Sequence, residues 1–175
     1  MRVNHQSGTI SPGRLEPMDP RIESIFNETI SMERKAAEFY YLLANLFRED
    51  GSFWNDLAAE EEYHAVLLHG GRDRFFERDL FPVEALEPNL VKIRKASSEI
   101  DESMSRYSRT TPPRKVACMR ALEMEGSSGE YYFQLALDIP AGTPALQLLR
   151  SLTGVEMNHA HRIIDRFMGP AHTAM

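Results

Sequence analysis

The chain has little that could be cross-linked, little that could grip nucleic acid, and no stretch that could span a bilayer. It holds one cysteine, Cys118, in 175 residues. A disulfide framework within the chain is therefore excluded, and so is a Cys-x-x-Cys zinc site or a rubredoxin-type iron site. That usage fits a reducing compartment, and the cytoplasm is the expected location. The net charge is −6 and no basic patch stands out, which argues against a nucleic-acid partner held through phosphate contacts. No apolar run approaches the roughly 18 residues of a membrane helix, and the N-terminus lacks the apolar core of a secretory signal. With ordinary hydrophobic content, 42%, the length fits a single domain with a real core.

What is present is a set of helical stripes with charge inside them. The spacing of Ile25/Phe26, Thr29/Ile30, Glu33, Ala36/Ala37, Tyr40, Leu43/Ala44 and Phe47 predicts a first helix opened by Asp19-Pro20 and stopping near Asp50-Gly51. A second stripe holds Trp54, Leu57, Glu61, His64 and Leu68, with Ser52 as a plausible cap. Gly70-Gly71 either ends this helix or lies within it. After Pro82 and Pro88, residues 89–108 read as a crossover helix on the outside of the fold, through Leu90, Ile93, Ile100, Met104 and Tyr107. Thr110 to Pro113 mark the next start, followed by a stripe of Cys118, Leu122, Glu125, Gly129, Tyr132 and Ala136. Pro144 opens the last helix, with Leu152, Glu156, His159, Ile163 and Phe167 on one face, and Gly169-Pro170 closes it. Residues 1–18 read as a disordered tail, 19–169 as one domain and 170–175 as a loose end.

The halves repeat. Met32–Ala44 is MERKAAEFYYLLA and Met124–Ala136 is MEGSSGEYYFQLA, offset by 92; Leu57–Ala65 is LAAEEEYHA and Leu152–Ala160 is LTGVEMNHA, offset by 95. The matched positions include all four buried-face glutamates and both histidines. Two similar hairpins would set Glu33, Glu61, His64, Glu125, Glu156 and His159 around a pseudo-twofold axis.

An uncompensated carboxylate on a buried stripe costs several kcal/mol, roughly, or takes up a proton. A metal removes the difficulty. One Glu from each of two helices and Glu-x-x-His from each of two others is the ligand set of ferritin-like di-iron and di-manganese bundles. Four carboxylates carry about four negative charges and two divalent cations about four positive. Nitrogen and oxygen donors without sulfur suit two irons, with manganese or zinc also acceptable. Register poses one problem. Counted from Gly51, Glu33 lies 18 residues back and Glu61 10 forward, a depth mismatch of about 12 Å at about 1.5 Å per residue. The first helix must end early, near Phe47, or the connection must absorb the difference.

Glu33 with Tyr40 seven later, Glu61-x-x-His64, Glu125 with Tyr132 seven later, and Glu156-x-x-His159 together resemble the rubrerythrin group of the ferritin-like superfamily. The resemblance covers about residues 20–168 without the crossover. It implies an all-α fold, a ferritin-like four-helix bundle of two helical hairpins joined by a long crossover, which here contains an extra helix. It also implies a non-haem di-iron centre that reacts with hydrogen peroxide or dioxygen. The chain departs from the group twice. It lacks the four cysteines of a rubredoxin domain, so a separate electron donor is expected. Ser128 stands where the group has an extra glutamate, so six protein ligands are expected rather than seven. Iron sequestration without turnover, and a structural bundle with a vestigial or zinc-filled site, are the competing functions.

Other residues have two readings each. Tyr40 and Tyr132 either serve the site, by hydrogen-bonding ligand carboxylates or donating electrons, or are core aromatics. Gly126-Ser127-Ser128-Gly129 either permits close helix packing, leaves room beside Glu125, or forms a local bulge. Glu38, Glu130, His69 and His161 read as surface residues, and Cys118 as a buried thiol. Apolar residues in 75–81 and the crossover suggest a homodimer.

Overall fold

The computed structural model describes residues 20–75, 86–137, 142 and 144–169, and at some helical positions the backbone alone. The described residues are all-helical: α1 (Pro20–Leu46), a 3-10 turn (Arg48–Asp50), α2 (Gly51–Phe75), α3 (Leu86–Arg109), α4 (Arg114–Leu137) and α5 (Pro144–Phe167). None of these helices is long and apolar enough to cross a membrane. The expected tails, 1–18 and 170–175, lie outside the described residues, as does 76–85.

α1 packs along α2, and α4 along α5, as two hairpins that meet through α2 and α5. Where their side chains are described, the expected stripes are buried or half-buried. Ile25, Phe26, Ile30, Ala36, Ala37, Tyr40, Leu43 and Ala44 of α1 face Trp54, Leu57, Ala58, Ala65 and Leu68 of α2 within one core. α1 also buries Met32 and Phe39, which lie off that stripe. The reason is α3, which packs on α1 and α4. Its Ile93, Ile100 and Tyr107 are buried, and the Phe39 and Tyr107 rings sit 6.0 Å apart. Lys35–Asp101 (2.5 Å) and Arg94–Glu28 (2.8 Å) bridge the exposed seam; pairs this exposed contribute little.

Two boundaries differ from expectation, and a third, left open, is settled. α1 ends at Leu46, not near Asp50-Gly51. The chain then tightens into the 3-10 turn, where Asp50 N–H donates to Phe47 O (2.9 Å). Asp50 is buried because its carboxylate is gripped from the second hairpin, by Arg166 at 3.0 Å and by Arg114. α2 starts at Gly51, directly after that turn, so Ser52 lies inside the helix, exposed, and is not its cap. Of the two readings of Gly70-Gly71, the one that places it within the helix holds, since α2 runs on to Phe75; among the described glycines only Gly142 takes a positive φ, 84°.

α4 is α-helical throughout Gly126-Ser127-Ser128-Gly129, so no bulge interrupts it. Close packing does not explain Gly126 either, since a Cβ there would meet nothing within 4 Å. The side chains at 129–137, Tyr132 and Glu130 among them, lie outside the described residues.

Candidate metal centre

The early end of α1 sets the register that the site needs. Glu33 is 13 residues before Leu46 and Glu61 is 10 after Gly51. The remaining mismatch is three residues, about 4.5 Å at the α-helical rise, and a glutamate side chain spans that. α1 thus brings Glu33 level with Glu61 and His64 of α2, while α4 brings Glu125 level with Glu156 and His159 of α5. All six are buried, none more than 3% exposed.

The six side chains form two overlapping groups. Glu33, Glu61, His64 and Glu156 make one; Glu61, Glu125, Glu156 and His159 make the other. Within each group one ligand atom per residue lies within 4.8 Å of all the others. Donors about 2.1 Å from one ion sit roughly 3.0–4.2 Å apart, so each group can close on a cation with small adjustments. Glu61 and Glu156 belong to both. Glu61 shows how one carboxylate serves two positions: its Oε2 lies 2.9 Å from His64 Nδ1 and its Oε1 2.9 Å from His159 Nδ1. His64 Nδ1 also lies 3.4 Å from Glu33 Oε2 and 3.4 Å from Glu156 Oε1. His159 Nδ1 lies 3.4 Å from Glu125 Oε2. The two imidazoles stack, with centroids 5.6 Å apart and planes at 16°.

Contact distance is not the same as a hydrogen bond here. Glu61 Oε1, Glu125 Oε2, Glu156 Oε1 and His159 Nδ1 are buried and satisfy no hydrogen bond, although His159 Nδ1 lies 2.9 Å from Glu61 Oε1 and 3.4 Å from Glu125 Oε2, and Glu156 Oε1 lies 3.4 Å from His64 Nδ1. Their lone pairs converge instead of pairing. Unsatisfied buried polar atoms are rare and each costs about 1–3 kcal/mol; a shared cation would satisfy all four. The donor set therefore fits metal ions, and the cluster could hold them.

Without a cation, protons must do this work. Burial pushes Glu33 up to about 8, against the pull of His64 and with Glu61 adding to the push. Burial, with Glu61 and Glu125 nearby, raises Glu156 well above the ordinary carboxylate range. Burial would also raise Glu61, but His159, His64 and Glu33 outweigh it and hold Glu61 at about 2. Burial would lower both histidines; instead Glu156, Glu33 and Glu61 take His64 up to about 12, and Glu125 and Glu61 take His159 up to about 10.

Two further layers hold the cluster. Tyr40 is wholly buried, and its O–H donates to Glu125 Oε1 across the hairpin interface, leaving Oε2 toward His159. Its other side stacks on Trp54 (5.7 Å, 17°), which stacks on Phe167 (5.0 Å, 8°). Tyr40 is thus both a core aromatic and hydrogen-bonded to the Glu125 carboxylate. Glu60, one residue before Glu61, is the residue that sequence reasoning missed. Its Oε2 accepts from His159 Nε2 at 2.8 Å, and Arg162 Nη1 donates to both its oxygens at 2.8 and 2.9 Å. Its partial burial would raise it, but Arg162 and His159 hold it below the usual carboxylate range. In sequence Glu60 is one of three consecutive glutamates and reads as surface charge; Arg162, a turn beyond His159, was the available signal.

The remaining candidates fall away from the site. His69, His161 and Glu38 are exposed. Cys118 is buried, and burial, with Arg114 opposing, takes its thiol up to about 11. Ser128 is buried on α4, three residues past Glu125. Comparison of the chain with protein-family models, with curated proteins and with solved structures finds no match.

Proposed function

We propose that this chain is a di-metal carboxylate protein of the ferritin-like kind, similar to the rubrerythrins, and that with iron it is an oxidoreductase acting on hydrogen peroxide or dioxygen. One observation carries the reading: two four-residue groups, each with one imidazole, overlap in the carboxylates Glu61 and Glu156. A single cation would need only one group, and a structural ionic cluster would not leave four buried donor atoms without hydrogen bonds.

The roles follow from position. Glu33 and His64 would hold one ion, Glu125 and His159 the other, and Glu61 and Glu156 are within reach of both. A pair of irons held this way supplies the electrons that reduction of peroxide or dioxygen takes up. Tyr40 fixes which oxygen of Glu125 faces the ions. Burial of the six side chains excludes bulk water and strengthens each electrostatic contact. A separate donor would return the electrons.

The test is anaerobic loading with Fe(II), then addition of peroxide or dioxygen while the iron's oxidation is followed optically, with and without an external reductant. Repeated turnover in proportion to bound iron is the expected result. Iron-loaded protein inert to both oxidants would overturn the oxidoreductase part. Release of the oxidised iron with uptake of more would turn the reading to sequestration.

A further inference from the structure

The cluster is twofold in its six central residues and one-sided in the layer behind them. The 95-residue offset that relates His64 to His159 and Glu61 to Glu156 also relates Glu60 to Val155 and Leu67 to Arg162. Behind His159, the Glu60 carboxylate accepts from Nε2 and is itself held by Arg162 through both oxygens. Behind His64, the corresponding residues are valine and leucine, which can neither accept nor donate. Among the described residues no carboxylate accepts from His64 Nε2.

This difference acts on metal binding. A carboxylate can only accept, so Nε2 of His159 carries a proton and, with a cation bound, Nδ1 would turn its lone pair to the ion beside Glu61 and Glu125. The same hydrogen bond fixes the ring's rotation and makes Nδ1 more electron-rich. Arg162 keeps Glu60 in place. Among the described residues His64 is held by the carboxylates it would share with the ion and by its stack on His159.

We propose that Glu60, held by Arg162, makes the two metal positions unequal, so that the Glu61/Glu125/Glu156/His159 position fills first and more tightly than the Glu33/Glu61/His64/Glu156 position. Glu60 is a positioning residue, acting through His159. The proposal rests on the di-metal reading and adds an order of loading, with a half-loaded chain as a distinct state at limiting metal.

The test is a titration of the full chain with Zn2+, followed by calorimetry and by 15N spectra of the histidine rings, for the natural sequence, Glu60→Gln and Arg162→Gln. The natural chain should bind in two steps at least about tenfold apart. At one Zn2+ per chain, the His159 resonances should move and those of His64 should not. Glu60→Gln should weaken the first step by about 10–100-fold, the range for loss of such a partner, and leave the second nearly unchanged. Arg162→Gln should shift the same step less; its side chain is 31% exposed, so it carries the test if Glu60→Gln fails to fold. Two equal steps in the natural chain, His64 responding first, or variants with unchanged steps would overturn the proposal and leave the di-metal reading standing. No Zn2+ bound by the natural chain would overturn both.

Discussion

Glu61 is the carboxylate common to both proposed metal positions, so Glu61→Gln offers the sharpest perturbation. The substitution keeps volume and removes the charge that lies 2.9 Å from each imidazole. A cation present at 100 times its dissociation constant stabilises the folded state by about 2.7 kcal/mol per site, so two sites give roughly 5.4 kcal/mol. For a chain of this size each kcal/mol moves Tm by about 2–4 °C, and saturating Mn2+ should raise Tm by about 11–22 °C. If losing the shared carboxylate weakens each site about a hundredfold, the metal concentration only equals the dissociation constant. The gain then falls to about 0.4 kcal/mol per site and the shift to about 2–3 °C. The assay is thermal unfolding with EDTA and with Mn2+, for the natural chain, Glu61→Gln and Glu62→Gln. Glu62 is an exposed neighbour and should keep the full shift. A full shift in Glu61→Gln, or its loss in Glu62→Gln, would refute the assignment of Glu61 as the shared ligand.

Three more outcomes follow from the geometry. Glu33 is raised from 4.5 to about 8, so the metal-free fold binds a proton there that the unfolded chain has released. That contribution is complete below about 4.5 and is lost as pH rises through about 8. The stability of the metal-free natural chain relative to Glu33→Gln should therefore fall between pH 5 and 8, by up to about 1.4 kcal/mol per unit, and a rise would contradict the burial argument. Tyr40→Phe removes a buried hydrogen bond to a carboxylate, which is worth about 1.5–3 kcal/mol when the acceptor is charged; urea unfolding should show that loss, and stability equal to the natural chain would argue against the Tyr40–Glu125 contact. Gly126→Ala puts a methyl group into open space on a continuous helix and should stabilise by about 0.5–1 kcal/mol; destabilisation in the same experiment would show that the glycine has a neighbour.

The six central residues were legible because two independent patterns agree on them. Each sits on an apolar stripe where a charge is anomalous, and each recurs at a fixed offset in the second half. Periodicity also located the crossover helix, though it gave only the face of α3 and not what α3 covers. Met32 and Phe39 are buried for that reason and lie off the stripe of α1. The mismatch between Glu33 and Glu61 was visible in the count of residues, and it forced an early end to α1. That the end comes at Leu46, with a 3-10 turn following, depends on Asp50. Its partners, Arg114 and Arg166, are at the start of α4 and in the last turn of α5, at sequence distances no local rule reaches. Glu60 was hidden differently: among Glu60, Glu61 and Glu62, periodicity picks out the inward-facing member, and a residue between faces is recognised only when the opposing helix supplies His159 and Arg162.

The central claim is that the chain holds two metal ions through these six side chains. Elemental analysis tests it most directly, on protein made with iron supplied and on protein reconstituted anaerobically with Fe(II), for the natural chain and for the double variant Glu61→Ala with His159→Ala. About two irons per chain in the natural protein, and loss of that iron in a double variant that still shows helical circular dichroism, is the result the geometry predicts. A natural chain that takes up no metal after reconstitution, or a folded double variant that keeps both irons, would contradict it.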